Sequence, residues 1–184
     1  FLLIQPAGSL PGRALYQTLS YALLLYMFHR HTRDIQRKED KPKGKPLSTI
    51  LLTLFLLIIV PAISWLLLKL AYTLIPMPDS WKALFAANSS ALMGEPVWLK
   101  LIAMALIPAL AEELLFRGAF LRSMLPRYNS PKALLISSLL FGLAHLNPWH
   151  FLPAFGAGLL LGWLTIKTGR LSPAILVLLG NNAL

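Results

Sequence analysis

Residues 96–121 read PVWLKLIAMALIPALAEELLFRGAFL. The run is apolar and long enough to cross a bilayer, which takes about 20 residues. It nevertheless holds Glu112 and Glu113 side by side, followed by Arg117. A charge at the bilayer centre costs about 2.5–3.5 kcal/mol on insertion scales. Adjacent carboxylates in such a run therefore mark either a reactive site or an ion cluster that fixes helix packing. Helix geometry separates the two acids. Glu113 and Arg117 stand at i and i+4 on one face, acid first, which is the better orientation. Glu112 is turned about 100° away and is left without a partner on its own helix. A carboxylate of that kind suits general acid–base chemistry.

The rest of the chain supports the same setting. Its 184 residues are 57% hydrophobic and only 13% charged, against about a quarter charged in soluble domains. A soluble fold of this size cannot cover that much apolar surface. Other apolar runs occupy about 13–28, 47–75, 131–146 and 151–166, and a last one opens at Ser172-Pro173. The pattern predicts an all-α, polytopic transmembrane helical bundle of about five complete spans plus a truncated sixth. Pro61 is predicted to kink the second run, and Lys69 to snorkel from its far end. Gly158 and Gly162 form a GxxxG pattern that permits close helix packing. Residues 76–96 read as an outer loop with a short interfacial helix, and Trp81 and Trp98 fit an aromatic belt. No internal repeat stands out. Phe1 in place of Met, and a last apolar run that stops at Leu184, read as the two cut ends of a fragment.

The formal net charge is +10. Seven of the 17 basic residues are Arg30, Arg33, Arg37, Lys38, Lys41, Lys43 and Lys45, between the first two runs. Under the positive-inside rule, loop 29–47 is cytoplasmic. The 76–96 segment is nearly neutral. Arg122, Arg127 and Lys132 follow the third run, and Lys167 and Arg170 follow the fifth. This alternation fits the predicted spans. No groove-reading motif accompanies the charge, so nucleic acid is set aside as a partner. The absence of cysteine excludes disulfides, thiolate zinc sites and a cysteine nucleophile. Ser123, Ser137 and Ser138 lie in no GxSxG elbow, which speaks against a serine nucleophile.

His145 closes the segment Phe141-Gly-Leu-Ala-His145. At 1.5 Å of rise per residue from the basic boundaries, Glu112 lies about 15 Å deep, His145 about 20 Å and Asn182 about 15 Å. All three are predicted to meet near mid-membrane. Asn181 and Asn182 are amides that either donate to an oxyanion or join helices. His150, in the turn Pro148-Trp-His-Phe151, suits an interfacial role.

Glu112-Glu113-xxx-Arg117, then Phe141-xxx-His145, then an Asn in a later span form an ordered set. It resembles the CAAX protease and bacteriocin-processing (CPBP or Abi) family of intramembrane endopeptidases, to which the eukaryotic prenyl-protein endoproteases belong. The likeness covers about residues 96–184. It divides the chain into 1–90, holding N-terminal spans, the basic loop and the outer loop, and 91–184, the protease domain. The resemblance implies hydrolysis of a peptide bond in a membrane-associated protein or peptide, near the lipid bilayer. Glu112 and His145 activate the water, Asn182 stabilises the oxyanion, and Glu113 and Arg117 organise the site with Phe141 and Asn181. It implies a bacterial inner membrane as the location. The expected mechanism needs no cofactor. Were a divalent metal used, Glu112, Glu113 and His145 are its expected ligands.

One position departs from the family pattern. The third motif is HxxxN, and its histidine is Leu178 here. Loss of one oxyanion donor typically costs about 10²–10³ in rate. The alternative reading is therefore a catalytically weakened or inactive membrane scaffold or immunity-type protein of the same fold. A proton-coupled transporter is a third class, because intramembrane carboxylates also mark proton paths.

Overall fold

The computed structural model describes residues 12, 15, 18–23, 26 and 45–184. Those before residue 45 are helical. The rest of the first apolar run, and the basic loop 29–47 apart from residues 45–47, lie outside the described residues. Among the described residues every regular element is a helix.

Helix α1 is Pro46–Leu74, opened by a proline in its first turn and carrying Pro61 inside. Helix α2 is Asp79–Met93, inside the segment read as an outer loop. An unbroken helical rod, α3, covers 97–124. It is α-helical at Val97–Lys100, Ile107–Glu113 and Arg122–Met124, and π-helical at Leu101–Leu106 and Leu114–Leu121. Pro108 accounts for the first wide turn. It has no N–H to give and its ring crowds the carbonyl one turn back. The ladder loosens ahead of it, and the Ile107 N–H reaches Ile102 O, five residues away. Helices α4, Ser130–Leu143, and α5, Pro148–Thr168, are joined by a tight turn, and α6 is Ser172–Ala183.

Caps fix the ends of α4 and α5. Asn129 Oδ1 accepts from Lys132 N at 3.1 Å. Asn147 Oδ1 accepts from Trp149 N at 3.0 Å and from His150 N at 3.4 Å. The Asn147 cap, with proline next to it, starts α5 three residues before the apolar run. Between the two helices Leu146 takes φ 51°, a left-handed conformation that costs a non-glycine residue about 1–2 kcal/mol.

Among the described residues the core draws on α1 and on α3 to α6. Leu56 and Val60 of α1, Phe116 of α3, Phe141 of α4, Leu161 of α5 and Leu178 of α6 belong to one buried cluster. Helix α5 packs on α4 and α1, and α6 packs on α1 and on the first half of α3. The α4–α5 crossing is close because a Cβ on Gly158 would lie 3.0 Å from Ser138 Cβ.

The outer face of α1 is apolar and open, with Ile58 73% exposed and Leu51, Leu54, Phe55 and Leu66 alongside it. In water such a face would form a large exposed apolar patch; against lipid it costs nothing. Two helices, Pro46–Leu74 and Pro148–Thr168, are each long and apolar enough to cross a membrane. Ser130–Leu143, at 14 residues, is shorter than the span length. The all-helical class is thus present, while a full set of five spans is not established by helix length.

Candidate active site

Glu112 and Glu113 end the α-helical segment Ile107–Glu113, and Arg117 lies in the π-helical turn that follows. Glu113 and Arg117 are both sealed from solvent, with Arg117 Nη1 2.6 Å from Glu113 Oε1. Among the described residues neither Glu113 oxygen, nor Arg117 Nη1, has an aligned hydrogen bond. The contact is therefore a charge pair rather than a directed bond. The other end of the guanidinium is fixed. Nη2 donates to Gly158 O at 3.4 Å, and the group lies 4.3 Å over the Phe141 ring. Gly158 matters twice, since the close α4–α5 crossing also brings its carbonyl to Arg117.

Phe141 links the ion pair to the histidine. Its ring meets Phe116 edge-on at 5.1 Å and His145 edge-on at 5.1 Å. His145 is half-buried, and its Nδ1 lies 2.9 Å from Phe141 O. A carbonyl can only accept, so Nδ1 carries the hydrogen and Nε2 is the basic nitrogen of the neutral ring. Glu113, Arg117, Phe141 and His145 thus stand in one continuous set of contacts.

Glu112 is 8% exposed. Its Oε1 accepts a hydrogen bond from Tyr21 Oη at 3.1 Å. Tyr21, 91 residues away in the chain, was no candidate in the sequence. The signal available was a tyrosine inside an apolar run, where a buried hydroxyl needs a partner.

Helix α6 runs beside Ile107–Glu113. Near its end Asn181 Nδ2 donates to Asn182 Oδ1 at 3.4 Å. This bond leaves the Asn182 amide N–H groups to give elsewhere. Leu178 is 2% exposed and fills the core next to Val177 and Ala174. The described contacts do not join Glu112 directly to His145 or Asn182; the three are related through the packing of α3, α4 and α6.

Other candidates resolve into structure. Ser137 Oγ donates to Phe116 O, Ser138 Oγ to Leu134 O and Ser123 Oγ to Phe120 O. His150 stacks on Phe85 at 6.5 Å, beside Trp149, which meets Trp81 at 5.1 Å and donates from Nε1 to Ile75 O at 2.7 Å. That aromatic group fastens α2 to the bundle. Among the described residues no three histidine or acidic side chains stand at metal-binding spacing. Glu113 faces Arg117 instead.

Residues 94–184 match the family model described as type II CAAX prenyl endopeptidase Rce1-like. The matched stretch contains α3 to α6 and every candidate residue named above except Tyr21. No curated protein and no solved structure matches the chain.

Proposed function

Because residues 94–184 belong to the type II CAAX prenyl endopeptidase Rce1-like family, we propose that the chain is an intramembrane endopeptidase whose Glu112 activates a water molecule. Its substrate class is a peptide bond of a membrane-associated protein or peptide. The observation that carries this reading is the division of the acidic pair. Glu113 is matched to Arg117, whereas Glu112 is bonded to a neutral phenol. A carboxylate held by a neutral donor remains a better proton acceptor than one held ionised against a guanidinium.

The steps balance without a further reactant. Glu112 takes a proton from water as the water oxygen bonds to the carbonyl carbon. The carbonyl π pair moves to oxygen, where the Asn182 amide donates to it. Collapse of the tetrahedral species breaks the C–N bond, and the proton held by Glu112 passes to the leaving nitrogen. His145 Nε2 orients the water and shares its proton. Glu113 and Arg117 hold the α3 turn in place, Phe141 seats His145, and Asn181 orients Asn182. The electrostatic contribution of such a site rests on groups that are already aligned.

In this reading the chain lies in one membrane, a bacterial inner membrane by resemblance, crosses it several times and keeps loop 29–47 in the cytoplasm. The N-terminal part, 1–90, anchors the protease domain, 91–184.

One observation favours a second reading. Leu178 is packed into the core at 2% exposure, so α6 offers no imidazole from that position. A weakened or inactive scaffold of the same fold would show the same packing. The two readings are tested by incubating the reconstituted chain with membrane peptides in ¹⁸O-labelled water. Hydrolysis puts one label into each new carboxyl terminus. Peptide binding without label in any product would support the scaffold.

A further inference from the structure

We infer that Tyr21 is a positioning residue that holds the Glu112 carboxylate in its reactive orientation. The inference rests on the reading of Glu112 as the general base, and it starts from what surrounds that carboxylate. Glu112 is buried, and a buried carboxylate without donors is costly. The nearest cation does not supply them. Arg117 spends Nη1 on Glu113, Nη2 on Gly158 O and its face on Phe141. Tyr21 supplies what Arg117 does not, a donor at 3.1 Å on Oε1.

Three properties of this contact suit positioning. A tyrosine has two side-chain torsions, and this ring is 3% exposed, so packing fixes where the hydroxyl points. The phenol is neutral and fixes Oε1 without cancelling the charge. It also engages Oε1 alone, and in the proposed reaction Oε2 is the oxygen that meets the water molecule. A guanidinium in the same place would grip both oxygens and suppress the base.

Tyr21 lies outside the family-matched stretch, 94–184. The N-terminal part therefore contributes to the site itself, and not as an anchor alone. A general base works only within hydrogen-bond reach of its proton, so the residue that fixes its carboxylate sets the rate without touching the substrate.

The test uses the full chain in detergent and in liposomes, with Tyr21→Phe, Glu112→Leu and the double variant. Tyr21→Phe removes one oxygen atom and leaves the ring. Each single change removes one side of the contact, while the double change removes both, so any coupling between the two residues is counted twice by the single changes and once by the double. The melting shift of the double variant is expected to be smaller than the sum of the two single shifts. In liposomes Tyr21→Phe is expected to lower kcat about tenfold or more, as for a lost hydrogen bond to a charged group, with KM unchanged. Additive melting shifts overturn the assignment. So does an unchanged kcat, or a rise in KM alone, which would make Tyr21 a substrate contact. If the wild-type chain cleaves nothing, the endopeptidase reading fails, and the melting shifts still decide whether Tyr21 holds Glu112.

Discussion

Arg117 stands 2.6 Å from Glu113 with both side chains sealed from water, and the pair behaves as one unit. Removing one partner leaves an uncompensated buried charge, which costs about 3–5 kcal/mol. Arg117→Met is expected to lower thermal stability by about that amount, measured by melting in detergent. Glu113→Gln together with Arg117→Met is expected to recover most of the loss. If the double variant is as unstable as Arg117→Met, the pair is not coupled.

His145 and His150 lie five residues apart in the sequence but have different surroundings. The Nδ1–H of His145 is held by Phe141 O, which presents Nε2 as a base. His150 stacks on Phe85 in the aromatic group that fastens α2. Loss of a positioned acid–base group typically costs about 10²–10⁴ in rate. His145→Gln is expected to lose peptide cleavage in that range, and His150→Gln to stay near the wild-type rate. Equal losses for both would remove His145 from its role.

Gly158 and Gly162 share a motif, but their surroundings differ. A Cβ on Gly158 would sit 3.1 Å from the backbone Ser138 Cα, whereas one on Gly162 would meet the tip of Leu134 at 2.5 Å. A leucine tip can turn aside; backbone cannot. Overpacking costs about 1–3 kcal/mol. Gly158→Ala is expected to fall in that range and to cut activity as well, because its carbonyl receives Arg117. Gly162→Ala is expected to melt closer to wild type. The reverse order of melting temperatures would contradict the packing argument.

Leu178 occupies the position of the family's third-motif histidine and is built into the core. Leu178→Ala is expected to cost about 2–5 kcal/mol, as for other buried leucines, measured by detergent melting. A negligible cost would mean that the space around Leu178 is open and able to receive a polar group.

Much of this was legible in the sequence, for physical reasons. A charged pair at i and i+4 in an apolar run has few solutions, so Glu113–Arg117 could be read directly. So could the close packing at Gly158, whereas α5 begins at Pro148, three residues ahead of the apolar run read at 151–166. The π-helical turns were not legible, although Pro108 marked where the ladder must loosen. Nor was the Tyr21–Glu112 bond, because a contact across 91 residues leaves no periodic trace. Leu178 was visible as a departure, but only the fold shows the space filled by core packing. Helix length does not decide the number of spans, since α4 and α6 are 14 and 12 residues long.

The central claim is that Glu112 is the base. It is tested most directly by single-turnover cleavage of a membrane peptide in liposomes, comparing the wild-type chain with Glu112→Gln. The amide keeps the size of the side chain and an acceptor for Tyr21, and removes the capacity to take a proton. The account expects the chemical step to fall by about 10² or more, with peptide binding retained. Cleavage at the wild-type rate by Glu112→Gln would contradict it.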